Sequence, residues 1–293
     1  MKRVLVTGAT GFVGRMTLAP LLARGYEVHA VQFGPRIDAP GVTWHDVDLL
    51  AGADFVRDLT PSHLLHLAWY AVPGKYWASR ENARWVRASL ALFEAFTAAG
   101  GKRCVMAGSS AEYDWSSGVC REGETPIAPS TYYGHAKASL WNVVREDAKA
   151  AGVSAAWARF FFLYGPHEYP ERLVSSVIRS LLRGERARTS PGTQRRDFLH
   201  TADAADATVA LLDSAVDGPV NIASGDALPV RDLIELIRAE TGGEVEYGAL
   251  PADPVPAIAA DTHRLNDEVG WHLGHDHEAR LRETIAWWRE NLK

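Results

Sequence analysis

The sequence predicts an α/β fold, a doubly wound parallel sheet with a smaller, discontinuous C-terminal lobe. Three observations lead there. Short apolar runs alternate with helix-length amphipathic segments through the first half of the chain. A glycine triplet stands between the first run and the first such segment. The length of 293 residues exceeds one average core and falls short of three.

In chain order, the apolar runs are residues 3–6, 27–31, 64–68, 104–107 and 155–162, with a further strand before Asp48. Residues 16–24, 80–99 and 133–151 carry apolar side chains three and four apart, which gives each helix one stripe to lay on a sheet. After Gly165-Pro166 the prolines thicken and the alternation stops, although residues 219–222 read as a strand returning to the sheet. The larger domain is therefore expected to comprise residues 1–164 and 195–223, and the smaller lobe residues 165–194 and 224–293. Within that lobe, residues 171–183 align Leu173, Val174, Val177, Ile178, Leu181 and Leu182 on one helical stripe that stops at Gly184. Residues 248–260, rich in proline and alanine, read as a surface connection.

Composition excludes several classes of function. Thirty-one basic against 36 acidic residues leave a net charge of −5, which gives no electrostatic case for nucleic acid as a partner. No apolar run approaches the roughly twenty residues that cross a bilayer, so no membrane partner is expected. The basic start, Met1-Lys2-Arg3, gives way at once to a strand and a glycine-rich turn and does not read as a signal peptide. Cys104 and Cys120 form neither a CxxC pair nor a disulfide framework, which points to a reducing, cytoplasmic location. His272, His275 and His277 lack the spacing of a ligand set, and no metal is expected.

The first run opens directly into Gly8-Ala9-Thr10-Gly11-Phe12-Val13-Gly14. Glycines three apart at a strand-to-helix turn let the chain turn sharply, let a pyrophosphate approach the backbone amides, and let the helix pack close to the sheet. This is a dinucleotide cradle of the Rossmann type. Where a carboxylate would hold both ribose hydroxyls of NAD, the sequence has Gln32. Arg36, or Arg15 beside the third glycine, suits a 2′-phosphate, so NADP(H) is favoured over NAD(H). Asp48 and Leu49 stand where one polar and one apolar side chain would grip the adenine.

Tyr133 and Lys137 are four apart on a predicted helix and share a face. At about 4 to 5 Å and an effective dielectric near 20, the ammonium favours the phenolate by roughly 3 to 4 kcal/mol. A phenol that ordinarily titrates near 10 is then expected to exchange protons close to neutrality. Ser109 and Ser110 leave the strand 104–107 at the carboxyl edge of the sheet, where doubly wound folds bind ligands. Ser110 is expected to polarise a substrate oxygen while Tyr133 transfers its proton and Lys137 orients the cofactor ribose; a turn cap is the plainer use of either serine.

With these residues in place, the chain resembles the extended short-chain dehydrogenase/reductases, the family of nucleotide-sugar epimerases, dehydratases and 4-ketoreductases. The likeness runs from end to end. It includes His66-Leu67-Ala68, Asn82, Glu124-Thr125-Pro126, Arg159, Tyr164-Gly165-Pro166, Arg196-Asp197-Phe198-Leu199-His200 and Gly270-Trp271. The resemblance implies a nucleotide-sugar substrate and adds Leu67 and Ala68 to the cofactor site. It implies a substrate site of Ser109, Ser110, Glu112, Tyr133, Phe162, Arg172 and Arg196, with the Arg196 fork clamping a diphosphate and Asp197 structural. It also implies a homodimer through the helices of residues 80–99 and 133–151. Trp69, Trp77 and Trp115 follow sheet strands and are candidates to wall a sugar pocket.

Three departures bear on the activity. Phe162 replaces an asparagine that contacts substrate in many relatives, residues 250–260 offer no second diphosphate arginine, and Ser110-Ala111-Glu112 lacks the aspartate that supports elimination of water. The leading expectation is thus an NAD(P)H-dependent reductase of a nucleotide-activated 4-keto-6-deoxysugar, with hydride delivered to C4. The alternatives are a nucleotide-sugar 4-epimerase holding NAD tightly, and a non-catalytic NADP-binding protein.

Overall fold

In the computed structural model, residues 2–34 and 37–292 are described; Arg36, a candidate 2′-phosphate ligand, lies outside them. The chain runs through β1 (Arg3–Thr7), α1 (Gly14–Ala23), β2 (Glu27–Gln32), β3 (Val42–Asp46), α2 (Phe55–Leu59), β4 (His63–His66) and α3 (Glu81–Ala98). It continues with β5 (Arg103–Ser109), β6 (Val119–Cys120), α4 (Tyr132–Ala151), β7 (Ser154–Phe160), β8 (Phe162–Tyr164), α5 (Leu173–Leu182), β9 (Ala187–Thr189) and β10 (Arg195–His200). The last part is α6 (Thr201–Asp213), β11 (Gly218–Ile222), β12 (Ala227–Pro229), α7 (Val230–Thr241), β13 (Val245–Tyr247), β14 (Ala257–Ala260) and α8 (His277–Asn291). Among the described residues no helix is long and apolar enough to cross a membrane.

Seven strands form one parallel sheet in the order β11-β7-β5-β4-β1-β2-β3. Because β1 lies between β2 and β4, the strand order reverses there and opens a crevice at the carboxyl ends. Side chains alternate across the sheet. Val4 and Val6 of β1 join Leu18 and Leu21 of α1 and Val209 and Leu212 of α6 on one face. Leu5 joins Phe93 and Phe96 of α3 and Leu140, Trp141 and Val144 of α4 on the other. Helix α4, which carries the tyrosine and lysine, starts sharply because the Thr131 hydroxyl accepts from the Gly134 amide at 3.1 Å. It ends at Gly152 with φ 66°, a left-handed conformation that glycine adopts without strain.

The second layer centres on β10, which pairs with β8 and β14 in parallel and with β12 antiparallel, while β14 also pairs with β6. Helices α5, α7 and α8 close it with Val174, Ile178, Leu233, Ile234, Leu281 and Ile285. Three expectations change here. The single strand over residues 155–162 breaks at Phe161: β7 ends in the large sheet and β8 pairs with β10. Strand β10, which a division at residue 195 assigns to the larger domain, pairs in the smaller sheet. The proline-rich connection of residues 248–260 ends in strand β14, whose Ile258 is buried. Proline removed the strand signal from its approach but not from the four residues that pair.

A polar network ties the two layers together. The Asn221 side chain of β11 donates to the carbonyls of Cys120 and Asp261, each at 3.0 Å, and accepts from the Tyr113 phenol at 2.8 Å. Its backbone N–H donates to Glu122 Oε1 at 2.6 Å. Arg159 Nη1 of β7 donates to the same phenol at 3.0 Å.

Candidate active site

The crevice at the carboxyl ends is a cleft of about 670 Å³ running from the glycine turn to α4. Gly8 has φ 69°, and a Cβ there would lie 2.7 Å from the Ala68 amide nitrogen. A Cβ on Gly14 would lie 2.1 Å from the Gly8 carbonyl oxygen. Both contacts are with backbone that cannot yield, so the close approach of β1, α1 and the Leu67-Ala68 segment requires glycine. Thr10, Gly11, Phe12, Val13, Asp48, Leu49, Leu67 and Ala68 line the cleft with them.

The β2 end differs from expectation. Val31 and Phe33 line the cleft, and strand alternation turns Gln32 to the opposite face. Gln32 is buried and donates through Nε2 to Asp46, its register partner on β3. It is not among the lining residues. Arg15 does line the cleft, but its guanidinium is folded back onto the Thr10 carbonyl at 2.7 Å and the Gly11 carbonyl at 3.3 Å.

At the other end, Ser109, Tyr133 and Lys137 meet. Ser109 is the last residue of β5, in extended conformation, before the chain tightens into the turn Ser110–Glu112. Its hydroxyl accepts from the Ala111 amide at 3.2 Å and lies near enough to the Tyr133 phenol to favour its ionised form. Ser110, the expected polarising residue, is buried and does not line the cleft; its carbonyl accepts from Trp115 Nε1 at 2.7 Å. The hydroxyl delivered to the site is therefore that of Ser109, because the strand carries one residue further than its apolar run.

Lys137 Nζ donates to the Ala107 carbonyl at 2.7 Å and lies 3.7 Å from the Trp69 ring centroid. Burial pushes its ammonium down to about 7, with Glu112 pulling the other way. The Tyr133 phenol is pushed above its ordinary value by burial and then by Tyr76, while the nearby Ser109 hydroxyl opposes both. The expected lowering by Lys137 is absent from this arrangement. The ammonium is aimed at a carbonyl and an indole, and Nζ lies 5.9 Å from the centre of the phenol ring.

Aromatic side chains enclose Tyr133. Tyr76 packs against its ring at 4.9 Å and 82°, Trp77 at 5.8 Å and 90°, and Trp69 at 6.4 Å and 75°. These edge-to-face contacts hold the phenol in one orientation. Asn82 fixes the wall by accepting from Trp69 Nε1 at 2.9 Å and donating to the Tyr76 and Ser79 carbonyls at 2.7 and 2.9 Å. Trp69 lines the cleft and Trp77 packs on Tyr133 without lining it, whereas Trp115 packs against the cluster that contains Tyr113 and Phe161. Tyr76, absent from the sequence-derived set, was hidden in a loop of mixed aromatic composition with no period to single it out.

Three substrate candidates are turned away. Glu112 is fully buried and accepts from the Ser109 amide at 2.7 Å, from Trp157 Nε1 at 2.8 Å and from Arg159 Nε at 2.9 Å. It builds the turn that presents Ser109. Arg196 is buried, pairs with Asp253 at 2.6 Å, and donates to the Arg195 and Val255 carbonyls. Phe162 packs on Phe198 at 5.9 Å, and the neighbours Phe160, Phe161 and Leu163 line the cleft instead. Arg172 does line it.

Comparison with known proteins accords with this geometry. Residues 4–223 match the NAD dependent epimerase/dehydratase family. A UDP-glucose 4-epimerase of Corynebacterium glutamicum is 27% identical over 318 residues, covering 97% of this chain and 94% of that protein. The structure of UDP-N-acetylglucosamine 4-epimerase from Methanobrevibacter ruminantium M1, in complex with UDP-N-acetylmuramic acid, superposes with a TM-score of 0.88 at 26% identity over 99% of both chains. MoeE5 in complex with UDP-glucuronic acid and NAD gives 0.86 at 31% identity, covering 99% of this chain and 100% of that one.

Proposed function

Since the chain belongs to the NAD-dependent epimerase/dehydratase family, and is therefore an NAD(P)-dependent enzyme of the extended short-chain dehydrogenase/reductase type, we propose that it is a nucleotide-sugar 4-epimerase holding NAD(H). The observation that carries this reading is the convergence of Ser109, Tyr133 and Lys137 at one end of a cleft whose other end is the glycine cradle. The cradle fits a dinucleotide: the space that a Cβ on Gly8 or Gly14 would fill is what lets α1 and the Leu67-Ala68 backbone close around a pyrophosphate. When bound, the dinucleotide supplies the acceptor and donor of hydride at the sugar carbon.

The chain's own residues handle the oxygen. As the phenolate, Tyr133 takes the sugar hydroxyl proton on oxidation, and as the phenol it returns that proton on reduction, while Ser109 polarises the same oxygen. Lys137, whose ammonium is pushed down to about 7 by burial, serves as the ribose-side donor. The aromatic wall keeps Tyr133 dry and fixed in angle.

Elimination of water is disfavoured because it needs a carboxyl at the sugar. Among the described residues lining the cleft, Asp48 is the one carboxylate, and it belongs to the glycine-turn end. Glu112 is locked to Arg159 and Trp157.

The reductase of a 4-keto-6-deoxysugar, using NADPH, is a second reading, favoured by Gln32 turning away and leaving no ribose carboxylate from the β2 end. Nucleotide extracted from purified protein decides between them. Stoichiometric NAD, together with interconversion of C4 epimers and no net cofactor turnover, is the expected result. Empty protein that consumes NADPH with a 4-ketosugar nucleotide would overturn the epimerase. Tyr133→Phe should remove turnover and keep the nucleotide; full activity in that variant would remove Tyr133 from the mechanism and revive a non-catalytic role. The same reading carries a homodimer through α3 and α4, where Val143 is 43% exposed; light scattering of the purified protein tests it.

A further inference from the structure

Arg172 lies beside Tyr133 and is not used by the chemistry above. It lines the cleft and lies near enough to the Tyr76 phenol to favour its ionised form, and the Tyr76 ring packs on Tyr133 at 4.9 Å. Its side chain is 36% exposed, so it is reachable from the cleft. The guanidinium is held in plane from behind: Nε meets Glu168 Oε1 at 3.2 Å, and Glu168 Oε2 accepts from Ser175 Oγ at 2.7 Å. Five N–H groups fan out from an arginine. One is engaged by Glu168, which leaves donors for a planar acceptor in the cleft.

The surrounding charge favours an anion. Lys137 and Arg172 flank Tyr133, and the cleft's carboxylate, Asp48, sits at the opposite end. Glu168 faces Arg172 from behind, and burial pushes its carboxyl up to about 7 while Arg172 and Ser175 pull it down. The walls are aromatic, so charge is poorly screened there. A neutral hexose would leave a fixed cation facing hydroxyls; a carboxylate would meet it as a two-pronged partner.

We infer that Arg172 and Tyr76 form a carboxylate-reading subsite at the sugar end of the cleft, so that the substrate is a nucleoside diphosphate sugar bearing a carboxylate, of the hexuronate class. This rests on the nucleotide-sugar reading above.

The test is calorimetric binding of UDP-glucuronic acid, UDP-glucose and UDP to the NAD-loaded protein, to Arg172→Met and to Arg172→Lys. Wild type should bind UDP-glucuronic acid at least about 10-fold more tightly than UDP-glucose. Arg172→Met should lose about 30-fold or more for the uronate, as expected when one partner of a shielded charge pair is truncated, and less than about 3-fold for UDP-glucose and UDP. Arg172→Lys keeps the charge without the fork, should fall between, and carries the test if the methionine variant does not fold. Equal losses for all three ligands would place Arg172 on the diphosphate and overturn the inference, as would a wild type without preference for the acid. If none of the three binds to wild type, the nucleotide-sugar reading itself falls, a result distinct from either of these.

Discussion

Replacing Lys137 by methionine separates the energetic burden of the site from its use. The ammonium ordinarily titrates at 10.5 and is pushed down to about 7 by burial, a difference worth about 5 kcal/mol against the charged form. Between those two values the unfolded chain binds more protons than the folded one, so wild-type stability rises with pH across that window. The penalty is nearly complete at pH 6 and has fallen by about 3 kcal/mol at pH 9. Methionine has similar length and no titration. It forgoes the hydrogen bond to the Ala107 carbonyl and the contact with the Trp69 ring, together about 2 to 4 kcal/mol. The variant should therefore be more stable than wild type at pH 6 by about 1 to 3 kcal/mol and lose that advantage by pH 9. Urea unfolding of the dinucleotide-free proteins at pH 6, 7.5 and 9, followed by tryptophan fluorescence, measures the difference. A difference that stays flat with pH, or that moves toward the variant as pH rises, would refute the buried-ammonium account.

Ser109→Ala should lower kcat by about 100- to 1,000-fold, whereas Ser110→Ala should stay within about 3-fold; steady-state kinetics that reverse this order would restore Ser110 to the mechanism. Gly14→Ala places a Cβ 2.1 Å from the Gly8 carbonyl and should cost about 1 to 3 kcal/mol in stability with loss of retained dinucleotide, measured by denaturation and by nucleotide extraction. Glu112→Ala leaves the buried Arg159 unpaired and should cost about 3 to 5 kcal/mol in urea unfolding, with a fall in turnover because the Ser109 amide loses its acceptor.

The sheet was legible because burial on both faces writes continuous apolar runs, and the glycine cradle because close backbone approach tolerates no other residue. Helical spacing put Tyr133 and Lys137 on one face, and the serines leaving the neighbouring strand together with the family resemblance marked that face as a site. Ser109 against Ser110 was not, since the choice depends on whether the chain leaves the strand after residue 107 or after residue 109, and adjacent serines carry no periodicity. Gln32 was placed at the right strand end but on the wrong face, because the terminal residues of β2 contain no polar alternation to mark which side is open. Arg196 and Glu112 were read as ligands because the family resemblance implied those roles. Their partners Asp253 and Arg159 lie 57 and 47 residues away in sequence, where only the fold brings them together. The lowered phenol failed for a related reason: helical spacing fixes the Cα positions of Tyr133 and Lys137, while the direction of the ammonium is set by the Ala107 carbonyl and by Trp69.

The hydrogen bonds gathered around Asn221 have a mechanical meaning. They join the last strand of the large sheet to β6 and to the end of β14, at a place where water cannot readily replace them. Swinging one layer against the other would break several at once, each at about 1 kcal/mol or more. The fold is thereby stiff at its seam, and a hinge between the two layers is resisted there. Redesign of the pocket can proceed one side chain at a time, with little disturbance carried into the frame.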